Sequence, residues 1–259
     1  MSISCPQEFV KFSNALADIA GPIVLNHFRK NIPVDIKSDQ TPVSVADRDA
    51  EAAMRQLISE TYPDHGILGE EQGVDNPKAE FLWVIDPIDG TKSYLAGKPM
   101  FGTLIGLAHH GRPILGIIDQ PFLKERWQGA IGYKTVYNNS ETTTRTCPDL
   151  AKATLNSTSP KMFSKSEYRK FLKLSEQVLM TMYGGDCYAY GLLANGYIDL
   201  IIEADLKPYD FCALVPIVIG AGGAITDWQG KAIDINSDGR IIASGDPKII
   251  SQATKILTG

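Results

Sequence analysis

The sequence predicts a layered sandwich of the α/β (α+β) class, and three observations carry that expectation. Helical spacing dominates the opening third of the chain. Short apolar runs then follow one another with only turns between them. Helix and strand patterns alternate through the rest.

Taken in order, Phe9, Phe12, Leu16, Ile19 and Ile23 recur at alternating spacings of three and four, which predicts one apolar face on a long first helix. Ala46 to Thr61 predicts a second helix with Ala50, Met54, Leu57 and Ile58 turned inward. The runs "FLWVI", "TLIGLAH", "PILGIID" and "RWQGAIG" are separated by Gly, Pro and charged residues, as in a meander of strands. The polar stretch "NNSETTTRT" reads either as a linker or as the end of a hairpin. It marks a soft boundary near 140–152 within a single domain over 1–259, with one half at about 1–145 and the other at about 146–259. Beyond it, "SEYRKFLKLSEQVLM" has helical spacing, "CYAYGLLANG" predicts a helix ending at Gly196, and "YIDLIIE" a strand. "YDFCALVPIVIGAGG" predicts one buried helix closed by glycines despite Pro216, and "AITDW" and "RIIASG" two late strands. No internal repeat or low-complexity tract is present.

A chain of 259 residues, 44% hydrophobic and 21% charged, can bury a sizeable core. Its net charge of −5 offers no basic footprint, which argues against nucleic acid and anionic membranes as partners. Cys5, Cys147, Cys187 and Cys212 form no CxxC pair, so reduced thiols in a cytoplasmic protein are expected rather than disulfides or a zinc site. "MSISCPQEF" lacks the basic and apolar regions of a signal peptide, and "ALVPIVIGAGGAI" is too short and glycine-broken to span a bilayer.

The chemistry is carried by acids. "LWVIDPIDGTKSY" ends an apolar run with Asp86 and Asp89, and buried carboxylates are costly unless something positive meets them. Alone, "DPIDG" reads equally as a turn. Glu70 and Glu71 follow another short apolar run in "ILGEEQG". Asp210 in "LKPYDFCAL" stands where a helix N-cap would, and Asp47 in "SVADRDAE" where a capping box opened by Ser44 would put its acid. Four acids at element ends match the oxygen-rich surroundings that magnesium takes, together with water and substrate phosphate.

"GEE", "WVIDPIDGTKSY" and "KPYDFCALVPIVIGAGG", in that order, resemble the inositol monophosphatase superfamily of magnesium-dependent, lithium-sensitive phosphatases over nearly the whole chain. The resemblance implies an α/β/α/β/α sandwich, a homodimer and two or three magnesium ions per site. It assigns Glu70, Asp86 and the Ile88 carbonyl to one ion, and Asp86, Asp89 and Asp210 to a second. Asp47 and Thr91 would orient and help deprotonate the attacking water, with Glu70 assisting. Backbone N–H groups of Gly90 and Thr91 would hold the phosphate, with Asp89 and Asp210 also bordering substrate. No histidine or cysteine nucleophile is required, so His27, His65, His109 and His110 are expected to be structural or exposed.

"YGGDCYAYGLLANGYIDLIIEADLKPYDF" with "GAGGAITDWQG" resembles the histidinol-phosphatase branch. The ammonium and imidazole of histidinol phosphate favour carboxylate partners, and Asp186 and Glu203 are the candidates. The competing readings are an N-cap for Asp186 and a surface strand-end acid for Glu203. Asp205 is expected to be solvated, and Lys92 to lie either near phosphate or in solvent. The rival activities are an inositol monophosphatase or broad sugar-phosphate phosphatase, a 3′,5′-bisphosphate nucleotidase, and a regulatory binding protein without turnover.

Overall fold

The computed structural model describes residues 4–30, 34–36 and 42–259. Helix α1 (Gln7–His27) packs beside α2 (Val45–Thr61), with a small hairpin, β1 (Val34–Ile36) and β2 (Pro42–Ser44), between them in the chain. The buried side of α1 is Phe9, Ser13, Leu16, Ala17, Ala20, Gly21 and Val24. The expected stripe is therefore rotated: Ile19 is 37% exposed and Ile23 only partly buried. The small residues decide the orientation, because a side chain at Gly21 would already touch Pro121 and Asp119 on the neighbouring sheet.

That sheet has eight strands: β3 (Gly66–Gly69), β4 (Gly73–Asp75), β5 (Phe81–Asp89), β6 (Gly102–His109), β7 (Arg112–Gln120), β8 (Glu125–Ala130), β9 (Val136–Tyr137) and β10 (Ser140–Glu141), with α3 (Thr91–Leu95) following β5. The order is β10-β9-β8-β7-β6-β5-β3-β4, and β5 to β8 form the expected antiparallel meander. Its central strands are covered on both faces, which is why they read as unbroken apolar runs. "NNSETTTRT" is a hairpin end at first, since Asn138 and Asn139 make a two-residue turn with φ of 45° and 67°. It then ties the two halves together: Thr142 and Thr144 donate to the carbonyls of Ala194 and Gly245, and Arg145 pairs with buried Asp199.

The second sheet comes from β11 (Thr154–Ser157), β12 (Met180–Tyr183), β13 (Leu200–Glu203), β14 (Ala224–Asp227) and β15 (Ile241–Ser244), ordered β12-β11-β13-β15-β14. Its helices are α4 (Lys165–Ser175), α5 (Asp186–Ala194), α6 (Pro208–Phe211), α7 (Leu214–Gly220) and α8 (Pro247–Thr258). Two expectations fail here. The helix across "SEYRKFLKLSEQVLM" stops at Ser175, because Met180 is drawn into edge strand β12 by pairing with β11. The helix across "YDFCALVPIVIGAGG" divides at Cys212–Ala213 into α6 and α7, because Pro216 has no N–H to offer the Cys212 carbonyl four residues back.

The layers run helix, sheet, helix, sheet, helix. On one face of the large sheet, Trp83, Ile85, Ile105 and Ile117 pack under α1 and α2. On the other, Leu82, Val84, Leu104 and Trp127 meet α5 and α7, whose far sides cover Ile201, Ile241 and Ala243 of the second sheet. Leu155, Leu200, Ile202 and Ile242 on that sheet's outer face are covered by α4 and α8. Gly106, Gly116 and Gly129 are register partners across β6, β7 and β8. They leave a trough for the α6–α7 backbone: a Cβ on Gly116 would lie 1.8 Å from the Ala213 carbonyl oxygen.

Candidate active site

On a regular strand, residues three apart point to opposite faces, so Asp86 and Asp89 should diverge. They do not, because pairing with β6 shifts between them: Asp86 stands opposite Leu104 and Asp89 opposite Gly102. One extra residue on β5 makes a β-bulge, which returns the second acid to the side of the first. The bulge is braced by the buried Thr103 hydroxyl donating to the Pro87 carbonyl at 2.8 Å, and by the Ile88 N–H donating to Asp86 at 3.0 Å. The plain-turn reading of "DPIDG" is thereby replaced: only Gly90, at φ 83°, turns the chain into α3.

Helix α6 packs against β5 and brings Asp210 to the same place, so that Asp86, Asp89 and Asp210 each offer an oxygen within 4.8 Å of the others. Asp210 is not an N-cap. It occupies the third position of α6, and its carboxylate accepts the Lys207 N–H at 2.7 Å. Asp47 does complete the capping box of α2, its Oδ2 accepting both the N–H and the hydroxyl of Ser44 at 2.8 and 2.6 Å. Its Oδ1 is buried and has no hydrogen-bond partner among the described residues. One carboxylate thus serves the fold with one oxygen and leaves the other for a ligand. Glu70 follows β3, which runs parallel to β5, and its charge acts on Asp47, Asp86 and Asp210.

These acids hold protons more tightly than carboxylates in water. Burial raises Asp86 well above the usual range, and repulsion from Glu70, Asp89, Asp210 and Asp47 adds to it. Burial likewise raises Asp89, with Asp186 and Asp210 contributing. Burial pushes Asp210 up to about 7 against the Lys207 N–H, which pulls it down. Burial also raises Asp47, opposed by the Ser44 hydrogen bonds. Among the described residues no lysine or arginine forms an ion pair with Asp86, Asp89 or Asp210. A concentration of buried negative charge with an orphaned oxygen beside it suits bound cations, and an all-oxygen donor set suits a hard one.

The Thr91 hydroxyl donates to the Ile88 carbonyl at 3.2 Å, so the two groups assigned to water and to metal lie in contact. A carbonyl oxygen has a second lone pair, and the hydroxyl can still accept. A cavity of about 110 Å³ opens beside Asp89 and Asp210 and is bordered by Asp186, Tyr190 and Glu203. Asp186 is not an N-cap either. Gly185 takes that place, and Asp186, at φ 45°, accepts from the Ser93 hydroxyl at 3.1 Å. It sits so near the turn after β5 that a Cβ on Gly90 would come within 3.0 Å of its carboxylate. Glu203 is buried, not a surface acid, and accepts from Thr158 N–H at 3.1 Å, the Thr158 hydroxyl at 2.5 Å and the Tyr190 hydroxyl at 2.8 Å. Asp205 and Lys92 are exposed. A larger cavity of about 430 Å³ beside α1 contains Arg126, whose charge is already met by Asp18 and Asp119.

Sequence reading passes over the support behind Glu70. Glu51 on α2 is fully buried, accepts the Arg55 Nε–H at 2.8 Å, and accepts the N–H groups of Glu71 and Gln72 at 2.8 and 2.9 Å. Arg55 extends the clamp to Asp75 and the Gly73 carbonyl. A signal was present, since Glu51 and Arg55 are four apart and immediately follow Ala50 and Met54 on the inward face.

The chain matches the Inositol monophosphatase family over residues 6–258. It is 47% identical to the Arabidopsis thaliana bifunctional phosphatase IMPL2, chloroplastic, over 96% of this chain and 75% of that protein. It is 34% identical to a histidinol-phosphatase of Chlorobaculum parvum, over 88% and 89% of the two chains. A solved inositol monophosphatase from Zymomonas mobilis superposes with a TM-score of 0.90 at 45% identity, covering 98% of each chain.

Proposed function

Since the chain belongs to the inositol monophosphatase family, we propose that it is a magnesium-dependent phosphomonoesterase acting foremost on histidinol phosphate, which it converts to histidinol and phosphate. Asp86, Asp89, Asp210 and Glu70, with the Ile88 carbonyl, would hold two or three magnesium ions. When bound, such ions neutralise phosphate charge and acidify water. Asp47 Oδ1 is the buried acceptor toward which a water can be turned, and Thr91 is its partner in orienting that water. The N–H groups of Gly90 and Thr91 at the start of α3 orient the phosphate.

The observation that carries the substrate choice is the position of Asp186, beside both Gly90 and the cavity. A carboxylate there meets an amine or imidazole better than it meets a sugar hydroxyl. Glu203 supports the same reading from the lining of the same cavity, with three of its roughly four acceptor sites occupied. Likeness to a histidinol-phosphatase and to a bifunctional phosphatase also favours it. Likeness to an inositol monophosphatase favours inositol phosphate as the second reading. Inhibition by lithium, a cytoplasmic location and a homodimer complete the proposal. The exposed apolar residues Leu179, Met180, Met182 and Tyr183 on and beside edge strand β12 would supply a surface for such a dimer.

The test is phosphate release from histidinol phosphate, inositol 1-phosphate, adenosine 3′,5′-bisphosphate and p-nitrophenyl phosphate, by the native enzyme and by Asp186→Asn. A charge-assisted hydrogen bond of roughly 1.5–3 kcal/mol corresponds to a ten- to hundred-fold loss in kcat/KM on histidinol phosphate. p-Nitrophenyl phosphate should change little. A native preference for inositol phosphate, or equal losses on all esters in the variant, refutes the histidinol reading.

A further inference from the structure

We propose that Glu80, His109 and His110 form a second metal site, for a borderline divalent cation such as zinc, at the end of β5 opposite the acidic cluster. Glu80 precedes β5, His109 ends β6, and His110 opens the turn into β7. Six residues separate Glu80 from Asp86 along an extended chain, a span of roughly 20 Å, so the two clusters are independent.

The geometry is that of three donors around a common point. His109 Nε2 lies 2.9 Å and His110 Nε2 3.9 Å from Glu80 Oε1. The three residues each offer a donor atom within 4.8 Å of the others. Donors bound at 2.0–2.2 Å to a tetrahedral or octahedral ion sit about 3–3.5 Å apart, so Glu80 and His109 already stand at that spacing and the exposed His110 ring has to close in by roughly half an ångström to one ångström. Two imidazole nitrogens and one carboxylate oxygen select zinc-like ions over magnesium, which asks for oxygen throughout. The fourth position falls to water, since the side chains of His110 and Glu80 are 70% and 59% exposed.

The His109 ring and the backbone that carries the other two donors are also held in place before any ion arrives. The His109 ring stacks on Phe81 at 4.6 Å, and Phe81 packs in turn on His65 at 5.1 Å. His110 at φ 48° and Gly111 at φ 79° make the hairpin turn, and the His110 N–H donates to the Glu80 carbonyl at 2.9 Å. The turn that bears two ligands is thus bonded to the residue that bears the third. An exposed histidine–glutamate pair by itself adds little stability, whereas an ion here ties the start of β5 to the β6–β7 hairpin.

The test uses the full chain, stripped with EDTA and then saturated with magnesium to occupy the acidic cluster, and titrates zinc by calorimetry. One equivalent of zinc should bind, and binding should weaken at least ten-fold in His110→Gln and in Glu80→Gln. His110→Gln, being largely exposed, should fold normally and keep its magnesium-dependent phosphatase activity. Cobalt added in place of zinc should give a visible absorption band that the same variant loses. No zinc uptake over magnesium, or uptake unchanged in His110→Gln, overturns the proposal; the latter result means that zinc occupies the acidic cluster.

Discussion

Replacing Asp210 by asparagine should stabilise the metal-free protein at pH 8 and remove most of its response to magnesium. Burial holds Asp210 at about 7 in the fold, against 3.8 for a free carboxyl. A group raised on folding contributes its full stability below pH 3.8 and loses it as pH rises through about 7, so at pH 8 the penalty is complete. At about 1.4 kcal/mol for each pH unit, the ionised carboxylate costs the empty fold up to about 4 kcal/mol. Asparagine removes that charge while its carbonyl still accepts the Lys207 N–H. For a chain of this size 1 kcal/mol moves Tm by roughly 2–4 °C, so calorimetry in EDTA at pH 8 should show a rise of up to roughly 8–16 °C. At pH 5 the gap should shrink to less than half. Magnesium at a hundred times its Kd should stabilise the native enzyme by about 2.7 kcal/mol, and the variant by much less. A variant less stable than the native enzyme in EDTA at pH 8, or one with an undiminished magnesium shift, refutes the reasoning.

Thr91→Ala should lower kcat and kcat/KM together, because its hydroxyl is proposed to orient the water while phosphate would be held by backbone donors; a rise in KM alone makes Thr91 a binding residue. Glu51→Gln should destabilise by about 3 kcal/mol, since it leaves Arg55 without its buried partner and turns an amide toward the N–H groups of Glu71 and Gln72. The displaced Glu70 should then cost at least ten-fold in kcat in protein that remains folded by circular dichroism. Gly116→Ala should reduce stability by more than 3 kcal/mol in urea titration, because the new Cβ would overlap the Ala213 carbonyl oxygen at 1.8 Å; a near-neutral result would show that α7 shifts freely.

The meander was legible because its strands are long, apolar and broken by unmistakable turns. The orientation of α1 was not, because Ser13, Ala17 and Gly21 line its buried side and large residues such as Ile19 do not. Periodicity weighs bulk, whereas close packing onto a sheet selects for its absence. The end of α4 was equally hidden: Val178 continues the helical spacing of Phe171 and Leu174, and only the edge of β11 explains why the chain extends at Met180. In the site, the acids were visible one by one, as was the capping role of Asp47. Their meeting was not, since Asp210 reaches β5 through a helix pair that Pro216 divides, and the bulge between Asp86 and Asp89 depends on Thr103 across the strand. Resemblance supplied what spacing could not.

The glycine trough across β6, β7 and β8 acts as a caliper for the acidic cluster. Asp86 and Asp89 belong to one jaw, the sheet. Asp210 belongs to the other, the backbone three residues before Ala213 that lies in the trough. What sets the opening is the missing methyl groups, so chemistry at the cluster depends on a length fixed several residues away. A Cβ on Gly106 would stand 3.2 Å from the Ala213 nitrogen, close enough to open the jaws by a few tenths of an ångström without prising the layers apart. Magnesium takes its oxygens at 2.0–2.1 Å and calcium at 2.3–2.6 Å. That interval is the same size as the opening, so for the ions proposed at these acids the fit would be set by a residue that touches neither ligand nor substrate.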